Sequence, residues 1–121
     1  MIKCYFCQKQ MPKFRDPEKS GNYNNHYSCY NCPTVPNPYR NIPIWKRPCT
    51  YIMKDNEPGV IYLYLPSLKL WLDIFKFEEH PFTDIKDENN QIVLRINSAI
   101  DIFSISPSSL ENKIKTWILF S

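Results

Sequence analysis

The sequence predicts a mainly β fold of the α+β class: a small cysteine-bearing hairpin, then an antiparallel sheet closed by a C-terminal helix. Three observations lead there. Eleven prolines, two glycines and a single alanine (Ala99) in 121 residues leave little material for a helical bundle. Aromatic residues reach 15%, eight of them tyrosine, a composition that favours strands. Short apolar runs in the second half alternate at period two. The length suits one compact domain, and 43% hydrophobic with 22% charged residues excludes a disordered polyelectrolyte. The longest apolar run, Val60 to Leu65, falls far short of the roughly 20 residues a membrane helix needs. The opening Met1-Ile2-Lys3-Cys4 lacks the apolar stretch of a secretory signal. The expectation is an intracellular, cytoplasmic protein.

Residues 1–32 hold the chemistry. Cys4-Tyr-Phe-Cys7 and Cys29-Tyr-Asn-Cys32 form two C-x-x-C pairs separated by 21 residues. Two residues between cysteines let both thiolates face one ion, and two such knuckles together supply a closed tetrahedral four-thiolate site. One structural Zn²⁺ is the expected cofactor; a rubredoxin-type iron offers the same donors, and a pair of disulfides would need an oxidising compartment. His26, three residues before Cys29, is a substitute ligand where four cysteines already suffice. Lys9 to Arg15 reads as one strand and Tyr27 to Tyr30 as its return, with turn residues from Asp16 to Asn22 between them. A treble clef would start a helix at its second ligand pair, but Pro33, Pro36 and Pro38 follow here, so a ribbon fits better.

Cys4-x-x-Cys7 with Met11, followed by Tyr27-Ser28-Cys29-Tyr30-Asn31-Cys32, resembles the zinc ribbons of nucleic-acid-handling proteins over the first third of the chain. Where such knuckles often carry glycine after the second cysteine, this chain has Gln8 and Pro33. The whole sequence also resembles small uncharacterised viral or phage zinc-ribbon proteins. The resemblance implies a zinc-stabilised module working on nucleic acid.

Residues 33–48 carry five prolines and form an extended segment whose Tyr39, Ile42, Ile44 and Trp45 pack along the protein. Residues 49–121 form the sheet and its helix, and the three parts make one compact unit. Thr50 to Lys54 is a strand, Asp55 to Gly59 a turn, and Val60 to Leu65 the next strand. Pro66-Ser67 turns the chain into Leu68 to Ile74, where Leu68, Leu70, Leu72 and Ile74 share a face. Asp87-Glu88-Asn89-Asn90 is a hairpin turn before Gln91 to Ile96, with Ile92, Leu94 and Ile96 on one face; Ile100, Ile102 and Ile105 suggest another short strand. The period then changes. Ser106 caps a helix with Pro107 in its first turn, in competition with a Ser108-x-x-Glu111 capping box. Leu110, Ile114, Trp117 and Ile118 line one helical face, which either closes the sheet or meets a partner's groove.

Charge divides the chain. Residues 1–54 carry +7 and residues 55–121 carry −4, giving the net +3. Four thiolates and one Zn²⁺ would lower the first half to about +5. Lys9, Lys13, Arg15, Arg40, Lys46 and Arg47, with Tyr39 and Trp45 interleaved, form a candidate surface for nucleic acid or a nucleic-acid-associated complex. The alternative is a protein-interaction module in which zinc is purely structural. No enzyme is expected: HExxH, GxSxG, a phosphate-binding glycine loop and the H-x-E with P-C-x-x-C deaminase pattern are all missing. His80, behind Glu78-Glu79, reads as surface loop. Cys49 reads as a small buried hydrophobe outside the metal site, or else as a reactive thiol near Lys46 and Arg47.

Overall fold

The computed structural model describes residues 2–14, 25–29, 32, 48–54 and 56–121. Among them lie seven strands: β1 (Lys13–Phe14), β2 (Asn25–Ser28), β3 (Cys49–Lys54), β4 (Glu57–Leu65), β5 (Leu70–Phe75), β6 (Phe82–Lys86) and β7 (Ile92–Ile96). They form one antiparallel sheet in chain order, with β1 and β7 at its edges and no closure into a barrel. A 3-10 turn (Ile102–Ser104) leads to helix α1 (Pro107–Leu119). The mainly β class and the closing helix are as the composition and periodicity predict.

Cross-strand partners share a face, so the register defines both sides of the sheet. Tyr51, Ile61, Ile74 and Thr83 stand in one row, and Leu63, Leu72, Ile85 and Leu94 in the next. This face is the core. It packs against Ile102, Leu110 and Ile114, all fully buried, with Ile118 partly so. Trp117, expected on the same helical stripe, is on the exposed side of it. Ser106 is the cap, its hydroxyl accepting from the Ser109 N–H at 3.3 Å, and Pro107 occupies the first turn.

The opposite face mixes aromatic rings with charge. Tyr62, Asp73, Asp84 and Arg95 form one cross-strand row, flanked by Tyr64, Trp71 and Lys86. Both aspartates are buried and both are paired: Lys86 Nζ donates to Asp73 at 2.7 Å, and Arg95 grips Asp84 with bonds of 2.6 and 2.9 Å.

Several expectations need correction. Among the described residues the first ribbon strand starts at Lys13, not Lys9, and β2 has the predicted length but lies two residues earlier than Tyr27 to Tyr30. β2 pairs onward with β3, so the ribbon and the second half share one sheet. Strand β6 was not predicted, because Thr83 and Asp84 interrupt its apolar residues. Ile92 faces solvent, since a register shift between Ile85 and Lys86 takes it off the alternation of Leu94 and Ile96. The strand suggested by Ile100, Ile102 and Ile105 is instead the 3-10 turn, where the Asp101 carboxylate accepts from the Phe103 N–H at 3.3 Å. β5 begins at Leu70, two residues later than read, after Lys69 turns the chain at φ 54°. β4 starts at Glu57, inside the predicted turn. The predicted Asp16–Asn22 turn, residue 55 and the extended segment through residue 47 lie outside the described residues. No helix among the described residues is long and apolar enough to cross a membrane.

Candidate metal centre

The first knuckle is a tight loop on a short hairpin. Lys3 bridges Gln10, and the Met11 N–H donates to the Ile2 carbonyl at 2.8 Å. Within it the Gln8 N–H donates to the Cys4 carbonyl at 3.0 Å and the Cys4 N–H to the Lys9 carbonyl at 2.9 Å. This winding forces Gln8 to φ 63°, the left-handed region that explains glycine after the second cysteine in other ribbons. The Gln8 amide offsets the strain by donating to the Tyr5 carbonyl at 3.0 Å. Gln8→Gly is therefore expected to leave thermal stability unchanged or slightly raised. Gln8→Val, β-branched and without the amide, should cost about 1–2 kcal/mol in a thermal melt.

The second pair is positioned by the sheet. Cys29 follows β2 directly, and its N–H donates to the Cys49 carbonyl on β3 at 3.0 Å. The Ser28 N–H donates to the Pro12 carbonyl at 3.3 Å, tying β2 to the strand that leaves the first knuckle. The four sulfurs of Cys4, Cys7, Cys29 and Cys32 then lie within 4.8 Å of one another. Cys4 and Cys32 are 3.9 Å apart, and Cys7 and Cys29 are 3.7 Å apart. None of the five cysteines is in a disulfide. Metal–sulfur bonds of about 2.3 Å place the corners of a tetrahedron about 3.8 Å apart, so the arrangement fits one four-coordinate ion.

Burial and close packing make negative charge on these sulfurs costly. Burial, then the adjacent Cys7 thiol, pushes Cys29 up to about 12. The Cys32 sulfur pulls Cys4 down, but the Cys49 thiol and burial outweigh it and hold Cys4 far above the usual thiol range. Four thiolates this close require a positive ion between them.

Beyond the four clustered cysteines, Tyr5 and Cys49 anchor the knuckle. The Tyr5 hydroxyl donates to the Ile105 carbonyl at 2.7 Å, and its N–H donates to the Cys49 sulfur at 3.4 Å. Burial, reinforced by Cys49, pushes the Tyr5 hydroxyl up to about 12. Cys49 is fully buried, outside the four-sulfur cluster. His26 is buried in β2 on the face of Ser28 and Thr50 and is not in the cluster; His80 is exposed.

Lys9 and Lys13 are exposed on and beside this hairpin, whereas Arg15, Tyr39, Arg40, Trp45, Lys46 and Arg47 lie outside the described residues. Sequence reasoning did not find Tyr5, Tyr51 or the Asp73–Asp84 row. Tyr51 was visible only as the residue two after Cys49, and Asp73 only as a charge inside an apolar run. No family model, no curated protein and no solved structure matches this chain, so its likeness to zinc ribbons stands on the two C-x-x-C pairs and their geometry, and the viral or phage likeness gains no support.

Proposed function

We propose that this chain is a zinc-stabilised, non-enzymatic accessory protein that binds nucleic acid through its basic N-terminal half. The four converging sulfurs carry the metal part of this reading. Zinc is the usual ion of a closed four-thiolate site, and four protein ligands leave no open position to activate water. The charge split supports the nucleic-acid part: +7 over residues 1–54 against −4 over the rest. Lys9 and Lys13 are exposed and lie outside the four-cysteine cluster, which leaves their ammonium groups available to this role.

The test is fluorescence anisotropy of the zinc-loaded chain with random-sequence single-stranded oligonucleotides over a salt series. Three or four phosphate contacts should give a logarithmic salt slope of roughly −2 to −3, at about −0.7 per contact. The double variant Lys9→Ala/Lys13→Ala should flatten that slope by about 1.4. Trp45→Ala should cost about 1–3 kcal/mol of affinity as a lost stacking platform. No binding to DNA or RNA at low salt would sink this reading and favour a protein-interaction module with purely structural zinc. One observation already points that way: Phe103, 60% exposed, rims a cavity of about 710 Å³ walled by Ile2, Tyr5, Met53 and Ile102.

A further inference from the structure

Two buried groups beside the four cysteines take no part in holding an ion: the Cys49 thiol and the Tyr51 hydroxyl. They are two residues apart on β3 and therefore share a face. Both belong to the same buried cluster as Cys4, Cys29 and Cys32. The Cys49 sulfur already receives the Tyr5 N–H at 3.4 Å, which holds it against the residue that follows Cys4. Tyr51 is only 3% exposed, yet its hydroxyl makes no hydrogen bond. A buried hydroxyl is costly to leave without a partner. Burial first, then the neighbouring Cys49, holds this hydroxyl well above the usual tyrosine range. Neutral thiols are weak acceptors, but a metal-held sulfur carries negative charge and is a strong one.

We propose that Cys49 and Tyr51 are positioning residues of the metal centre: once an ion holds Cys4 as a thiolate, the Cys49 S–H donates to the Cys4 sulfur, and the Tyr51 O–H donates to the Cys49 sulfur. The inference rests on reading the four cysteines as a metal centre. Donation to the Cys4 thiolate polarises the Cys49 sulfur, which makes it a better acceptor for the Tyr51 hydroxyl than the thiol of the metal-free chain. The two donors spread the charge of a centre that carries about −2 with a divalent ion and four thiolates. Hydrogen bonds in this outer layer typically change metal affinity 10- to 100-fold.

The test loads the full chain with Zn²⁺, measures affinity by competition with a chromophoric chelator, and repeats the loading with Co²⁺ to read the thiolate-to-metal charge-transfer band. Tyr51→Phe and Cys49→Ala should each bind zinc at least about tenfold more weakly and shift the cobalt band. Cys49→Ser, which keeps a donor and an acceptor, should stay within about threefold of the native chain. The order of the last two is decisive. A Cys49 that merely fills space would favour alanine over serine, because a buried hydroxyl without a partner is penalised. Cys49→Ala matching or exceeding Cys49→Ser, or Tyr51→Phe binding as tightly as the native chain, overturns the inference and leaves the metal centre intact. A native chain that takes up neither zinc nor cobalt overturns both. Should Cys49→Ala fail to fold, Tyr51→Phe, which removes one oxygen, decides alone.

Discussion

Cys29→Ser is expected to abolish stoichiometric metal binding and unfold the N-terminal knuckle together with β1 and β2. Elemental analysis of the freshly purified, reduced native chain should find one zinc per molecule, and the variant none. Zinc-finger peptides gain roughly 10–16 kcal/mol apparent from their metal, as much as the whole stability of a domain at about 5–15 kcal/mol. The loss should be regional. The fully buried side chains of Ile61, Leu63, Leu72, Ile74 and Ile85 share one core cluster with the cysteines, but that cluster also contains Ile102, Leu110 and Ile114, which carry no metal ligand and can keep the strands covered. Hydrogen exchange on the chelated or substituted protein should show residues 2–14 and 25–29 losing protection while β4, β5, β6 and α1 keep it. Uniform protection after complete metal removal would contradict this assignment of the centre. Cys49→Ser should behave mildly in the same assay.

The next largest effect should come from the opposite face. Lys86→Met leaves the Asp73 carboxylate, 5% exposed, without the ammonium that bonds it at 2.7 Å. Its cross-strand neighbour is Asp84, so the loss also sets two carboxylates side by side with only Arg95 to compensate. Removing one partner of a buried pair typically costs about 3–5 kcal/mol, and the 17% exposure of Lys86 puts this pair near the lower end. A chemical denaturation curve should lose about 3 kcal/mol, and Asp73→Asn/Lys86→Met should recover more than half of it by removing the stranded charge. A single variant within about 0.5 kcal/mol of the native chain would mean that water reaches Asp73 freely.

The parts of the fold that sequence made legible are those written in local periodicity. Leu70, Leu72 and Ile74 alternate because one face of β5 is core, and Leu110 and Ile114 recur at helical spacing for the same reason. Ser106 and Pro107 mark the helix start because a side-chain acceptor and a missing N–H are what a first turn requires. The four candidate ligands were legible because C-x-x-C brings two sulfurs together without help from distant residues. What escaped depends on neighbours far away in sequence. Asp73 looks like an interruption until Lys86 appears beside it across β6. Tyr51 looks like any strand tyrosine until the knuckle brings Cys4 alongside β3. Gln8 looked like a departure from ribbon chemistry, yet the backbone takes the left-handed turn regardless.

Strand order along the sheet is also chain order, so every ladder joins neighbours in sequence. Folding rate rises with the share of such local contacts, and a hairpin forms in about 1–10 μs. Two hydrogen bonds of long sequence separation meet at Tyr5: its hydroxyl reaches the Ile105 carbonyl across 100 residues, and its amide meets Cys49 across 44. Growth of the strip and fastening of its end are thus separable events with different clocks. On the proposed metal centre, the first is expected to be unimolecular and indifferent to ions, whereas the second is expected to speed up with free metal. In a stopped-flow refolding experiment the fast phase should ignore added zinc, and the slow phase should accelerate with it.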